Sequence, residues 1–268
     1  MTRQQPPAAL AFVRATALIA RAHLVRCLTS WRWIACAVIA LLPASTAFVV
    51  TSASARPGPG DLAAHLAWLL MLQIVVPLVT LLAGSSVVAE EIEDRTITYL
   101  FTRPIPRAAL LFGRWIATAL LLTTLLALAT YLLFLACERA RGSGPEIDDE
   151  IRHPMYVAVL WGTLVYSALF ASLGAFFKHP MLVGIGYAFA VEGFMANLPG
   201  GNQSLTVQFY LRSLIAQDGS RVWRRVEGFT DIAFQSGQRA HTVLAVLLVT
   251  ALLLGAWRLS TREYELTS

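Results

Sequence analysis

The sequence predicts an all-α integral membrane protein. It should have six transmembrane helices, an N-terminal interfacial helix, a charged cytoplasmic helix between spans two and three, and short outer-leaflet helices between spans five and six. Three observations carry that class. Of 268 residues 57% are hydrophobic and 14% charged, against about 45–50% and about 25% in soluble chains, and the mean hydropathy is +0.62. Six apolar stretches have the length of a helix crossing a hydrocarbon core about 30 Å thick. Among the charged residues, only Glu192 falls inside one of those stretches. A soluble enzyme, a disordered tail and a free nucleic-acid binder are excluded, and long apolar runs exclude a transmembrane barrel, which would read as short alternating segments. The length fits one membrane domain of several spans, 1–268.

Residues 1–32 come first and hold no acid; the first acid in the chain is Asp61. On a helix at 100° per residue Arg14, Arg21 and Arg32 fall within about 20° of one another, while Phe12, Val13, Ile19, Ala20 and Leu24 spread over the other side. The pattern predicts a helix lying in the cytoplasmic interface, its guanidiniums among lipid phosphates. The spans follow at 33–51, 62–88, 115–137, 155–177, 181–198 and 241–257, with Pro77 expected to kink the second. Segment 89–114 is a short charged connection. The loop 199–240 is long enough to need short helices of its own, and its apolar run 205–215 is suited to dip into the outer leaflet.

Orientation follows from the arginines, since of the 21 basic residues only Lys178 is a lysine. With both termini inside, the cytoplasmic segments hold Arg3, Arg14, Arg21, Arg26 and Arg32, then Arg95, Arg103, Arg107 and Arg114, then Lys178, and finally Arg258 and Arg262. Fewer fall outside, most of them in loop 199–240 or beside the acids 146–150. That bias places the termini in the cytoplasm. Cys27, Cys36 and Cys137 are an odd number without paired spacing, so no disulfide framework is expected.

The most informative stretch runs from Gly84 to Trp115. A span leads directly into Glu90, Glu91, Glu93 and Asp94. On a helix Glu91 and Arg95 form an i, i+4 pair, and Ile92, Thr96 and Tyr99 share a face. Pro104 and Pro106 then stop the helix, because neither donates an amide hydrogen and Pro104 disfavours helical geometry at Arg103. A plain connection needs neither an apolar stripe nor both signs of charge in this order, so the pattern points to a helix that binds a partner.

The order of acidic cluster, Arg95-Thr96, apolar residues, Arg-Pro-Ile-Pro-Arg at 103–107 and Gly-Arg-Trp at 113–115 resembles the permease subunits of ABC-2 type transporters. The six-span plan, the arginine-bearing N-terminal helix and the long segment between spans five and six match as well, so the resemblance covers essentially the whole chain. Many members have Gly-Thr where this chain has Arg95-Thr96. The resemblance implies that 90–107 forms a coupling helix in a groove of a separate ATP-binding subunit. Glu90, Glu91, Ile92, Asp94, Arg95, Thr96, Tyr99 and Arg103 would be its contacts. It further implies two such subunits carrying ATP and Mg, a second permease copy as a homodimer, export, and the bacterial inner membrane. No cofactor is expected in this chain, which has no Gly-x-x-x-x-Gly-Lys loop.

Two other classes compete. Glu90 to Arg95 also satisfies the Glu-Glu-x-x-x-Arg signature of intramembrane proteases, in which paired glutamates activate water. Those enzymes need histidines at helical spacing from Phe and from Asn or Asp. None of His65, His153, His179 or His241 has that spacing. A membrane scaffold that binds a cytoplasmic partner without transport is the other. Glu192, costly in a span, is a candidate for a substrate path or for a bond to a neighbouring helix, and Gln73 and Asn197 are further polar groups that could do either. The scattered histidines and cysteines predict no metal site.

Overall fold

The computed structural model describes residues 8–53, 58–87, 107–140, 142, 146–195, 201–218, 223, 226 and 234–261, and all regular structure among them is helical. The elements are α1 (Ala8–Leu28), α2 (Trp31–Ala40), α3 (Leu42–Ser52), α4 (Pro59–Leu66), a π-helical stretch Ala67–Val75, α5 (Val76–Gly84), α6 (Arg107–Cys137), α7 (Asp149–Phe176), α8 (Pro180–Gly186), a second π-helical stretch Tyr187–Phe194, α9 (Val207–Asp218) and α10 (Gly237–Thr261).

Among the described residues, five helices are long and apolar enough to cross a membrane: Trp31–Ser52, Pro59–Gly84, Ala108–Cys137, Asp149–Phe176 and Gly237–Thr261. The expected fifth span is instead a shorter apolar helix, Pro180–Phe194. At about 1.5 Å per residue its described part alone is shorter than a 30 Å core. The first span is interrupted at Leu41, with Pro43 in the first turn of α3. In the second, π winding precedes the site of the kink expected at Pro77 and ends two residues before it. Large apolar side chains such as Trp31, Val38, Leu120, Leu128, Val246 and Leu253 point outward, as helices bathed in lipid require and helices in water do not.

Residues 1–32 do not form one helix. Thr29 Oγ1 donates to the Arg26 carbonyl, and the Ser30 side chain caps α2 by accepting from the Arg32 amide. Arg32 therefore belongs to the first turn of the first span, not to the interfacial helix with Arg14 and Arg21. The face of α1 that packs into the bundle holds polar groups as well: His23 and Cys27 are buried, whereas Val13 is exposed. Phe12, Thr16, Ile19, His23 and Cys27 recur at i, i+4, i+7 spacing and face α6. Hydrophobicity alone missed this stripe because threonine, histidine and cysteine are part of it. Gly113 permits the contact, since a Cβ there would stand 2.7 Å from the Thr16 carbonyl oxygen.

α7 is the central element, packed against α5, α6, α9 and α10. The Trp115 indole N–H donates to Ser167 Oγ at 3.1 Å, tying α6 to α7 inside the apolar core. The three cysteines are buried free thiols.

Candidate functional site

The coupling contacts expected at Glu90, Glu91, Ile92, Asp94, Arg95, Thr96, Tyr99 and Arg103 lie outside the described residues, as does Asn197. What the structure describes is how the two ends of that segment are held. Arg114, 5% exposed, donates through Nη1 to the Val87 carbonyl at 2.9 Å. Val87 lies three residues beyond the end of α5 at Gly84, so this bond ties the third span to the chain just past the second. Close by, the His23 imidazole meets Thr118 Oγ1 at 3.1 Å and Cys27 Sγ at 3.3 Å. Burial lowers the His23 imidazole to about 4, with Arg114 and Arg26 acting in the same direction, so it is neutral at physiological pH.

Further along the bundle, a groove of about 360 Å³ opens between the second span and Pro180–Phe194. Its first wall is made by Leu69, Gln73 and Ile74 of the first π-helical stretch, continued by Pro77, Leu78 and Leu81 of α5. Facing them are Ile185 of α8 and Ala188, Phe189 and Gly193 of the second π-helical stretch. Both stretches of π winding, a rare feature frequent at functional sites, thus line one cleft. Gln73 is the polar side chain in it, and Gln73 hydrogen-bonds to none of the described residues. α8 comes close behind the groove because Gly184 lacks a side chain that would collide with Leu81.

Behind the groove lies a buried polar network. Glu192, 3% exposed, accepts hydrogen bonds from the Val207 amide through Oε1 and the Gln208 amide through Oε2, both at 3.0 Å. Tyr187 Oη donates to Glu192 Oε1 at 2.7 Å. The carboxylate therefore caps the N-terminus of α9 from another element, where orphan amides and the helix dipole favour negative charge. Winding decides the Tyr187 contact: five residues separate the two side chains, which an α-helix would turn apart and a π-helix brings together. The buried Tyr166 hydroxyl lies beside the same carboxylate and Gln208. One turn along α9, the Arg212 guanidinium stacks over the Trp68 ring at 4.6 Å.

The Gln208 side chain closes the network. Its Nε2 donates to the Leu72 carbonyl at 2.9 Å. In the π register Val76 N–H bonds to the Met71 carbonyl, so the Leu72 carbonyl would await residue 77. That residue is Pro77, which has no hydrogen to give. Gln208 supplies it.

Among the predicted site residues, Glu192 and Gln73 thus sit on opposite walls of one groove, Gln73 facing the cleft and Glu192 facing away into the network. Arg14 and Arg21 are exposed on α1 and Arg32 on α2. Sequence reasoning missed Gln208, Arg212, Tyr187 and Arg114. The available signal was the i, i+4 pair Gln208 and Arg212 within the otherwise apolar run 205–215. No group of three metal-ligating side chains occurs among the described residues.

No curated protein matches the chain. The family model described as ABC-2 family transporter protein matches residues 18–263. That match begins within α1 and spans the groove and the network alike, and with the apolar helices it makes this a membrane transporter component: the chain belongs to the ABC-2 transporter family.

Proposed function

We propose that the chain is the membrane-spanning permease subunit of an ATP-driven exporter in the bacterial cytoplasmic membrane. Both termini face the cytoplasm, and Pro180–Phe194 counts as a short fifth of six spans. Segment 90–107 is the coupling helix. Through Glu90, Glu91, Ile92, Asp94, Arg95, Thr96, Tyr99 and Arg103 it docks on a separate ATP-binding subunit, which holds ATP and Mg. Two permease copies pair with two such subunits. When the ATPases close, they push on the ends of the coupling segment, and rigid helices pass the movement to the groove. Substrate, an apolar molecule or one with an apolar portion, passes along the groove and meets the Gln73 amide, while Arg14 and Arg21 hold α1 among lipid phosphates.

Family membership supports the ATPase partner. The observation that carries the substrate path is the groove itself: an apolar cleft of about 360 Å³ with one polar side chain that has no partner among the described residues. Co-purification tests the complex, and transport into inverted vesicles tests the path. An ATP-hydrolysing polypeptide should remain bound through a mild salt wash, and Gln73→Leu should lower export without loosening that subunit. Absence of such a polypeptide overturns the reading, and full export by Gln73→Leu removes the groove from it.

A further inference from the structure

One residue touches both walls of the groove. The Gln208 side chain bonds to the Leu72 carbonyl in the first wall, and its backbone amide bonds to Glu192 in the second. Leu72 precedes the groove-lining Gln73, and Glu192 precedes the groove-lining Gly193, so each bond fastens a wall immediately behind its lining surface. Gln208 is 1% exposed and Glu192 3%. Neither bond competes with water, and no alternative donor for the Leu72 carbonyl exists in its own helix. α9 is also fixed beside Gln208: Arg212 stacks on Trp68 of the first wall, and Val207 N–H shares the Glu192 carboxylate.

We propose that Gln208 is the positioning residue that holds the two π-helical walls at their spacing and so sets the width of ligand the groove admits. The inference deepens the reading of the groove as the substrate path and rests on it only for the word ligand. The tie itself is a statement about two walls and one side chain. Were Gln208 present only to satisfy an orphan carbonyl, any donor to Leu72 would serve. As a tie, it must be bonded to both walls at once.

The test is a distance measurement between the walls in the intact permease with its ATPase subunit, reconstituted in lipid discs. Leu69→Cys and Phe189→Cys place spin labels on exposed lining positions, while the three native thiols are buried; labelled permease is diluted with unlabelled copies. Gln208→Met keeps the side-chain length and removes the donor, and it should give a longer, broader distance distribution. An unchanged distribution overturns the proposal. Pro77→Ala gives the Leu72 carbonyl a backbone donor, so the double variant separates the two roles. Walls that stay spread in Pro77→Ala/Gln208→Met support the tie, and walls that return to their spacing overturn it. If Gln208→Met is not recovered as a folded protein, Glu192→Ala cuts the tie at the other wall and should spread the labels likewise; failure to do so overturns the proposal. Export is scored separately. Spread walls with unaltered preference between narrow and wide apolar probes leave the tie standing and count against the groove as the substrate path.

Discussion

Arg114 Nη1 donates at 2.9 Å to the Val87 carbonyl, so the third span holds the chain three residues past the end of the second. Between Val87 and Arg107 in the chain lie residues 88–106, which are outside the described residues. Under the proposed function, a push on that segment reaches both spans together.

Arg114→Leu leaves the Val87 carbonyl buried without that donor and should lower thermal stability by about 1–3 kcal/mol. Under the proposed function it should also reduce export per ATP hydrolysed while the ATPase subunit stays bound. Unchanged stoichiometry in reconstituted vesicles would make the bond purely structural.

His23 gives the docking of α1 a pH dependence. Its docked value of about 4 lies below the ordinary 6.5, so docking favours the neutral ring. The stabilisation is complete above about pH 6.5 and is lost as pH falls toward 4, because the undocked imidazole takes up a proton first. Proteolysis within α1 should therefore accelerate across that interval. His23→Gln, which keeps a donor toward Thr118 without a titrating ring, should flatten the profile.

Glu192→Ala removes the acceptor of two backbone amides and of the Tyr187 hydroxyl. The expected cost is about 2–3 kcal/mol, from lost charge-assisted bonds at a helix N-terminus. Glu192→Gln retains one carbonyl acceptor and should recover part of it. Thermal unfolding in detergent compares the two, and equal losses would mean that charge, rather than bonding, is what α9 needs.

The paired change Glu91→Ala/Asp94→Ala should weaken retention of the ATP-binding subunit in co-purification while the permease still inserts in the membrane. Loss of insertion instead would assign those acids to topology and not to docking.

The membrane class and the family were legible in the sequence, because apolar runs of spanning length and the order of charges between 90 and 107 are linear signals. The α1 stripe was only half legible. Gly113 lets α6 approach α1 at Thr16 and Ile19, and His23 is buried further along the same contact, against Thr118. The fifth span, expected over 181–198 because its composition is apolar, is described as helix over Pro180–Phe194, and residues 196–198 lie outside the described residues.

The sequence by itself determined that Glu192 is an ionisable group among apolar residues and that Pro77 interrupts a span. Only the tertiary structure decided what each requires. π winding places Tyr187 beside Glu192 and leaves the Leu72 carbonyl without a backbone donor, and α9, more than a hundred residues beyond Leu72, supplies the partners for both. The reason is physical: a buried polar group must be paired where water is absent, and the nearest partner in space is fixed by packing rather than by sequence spacing.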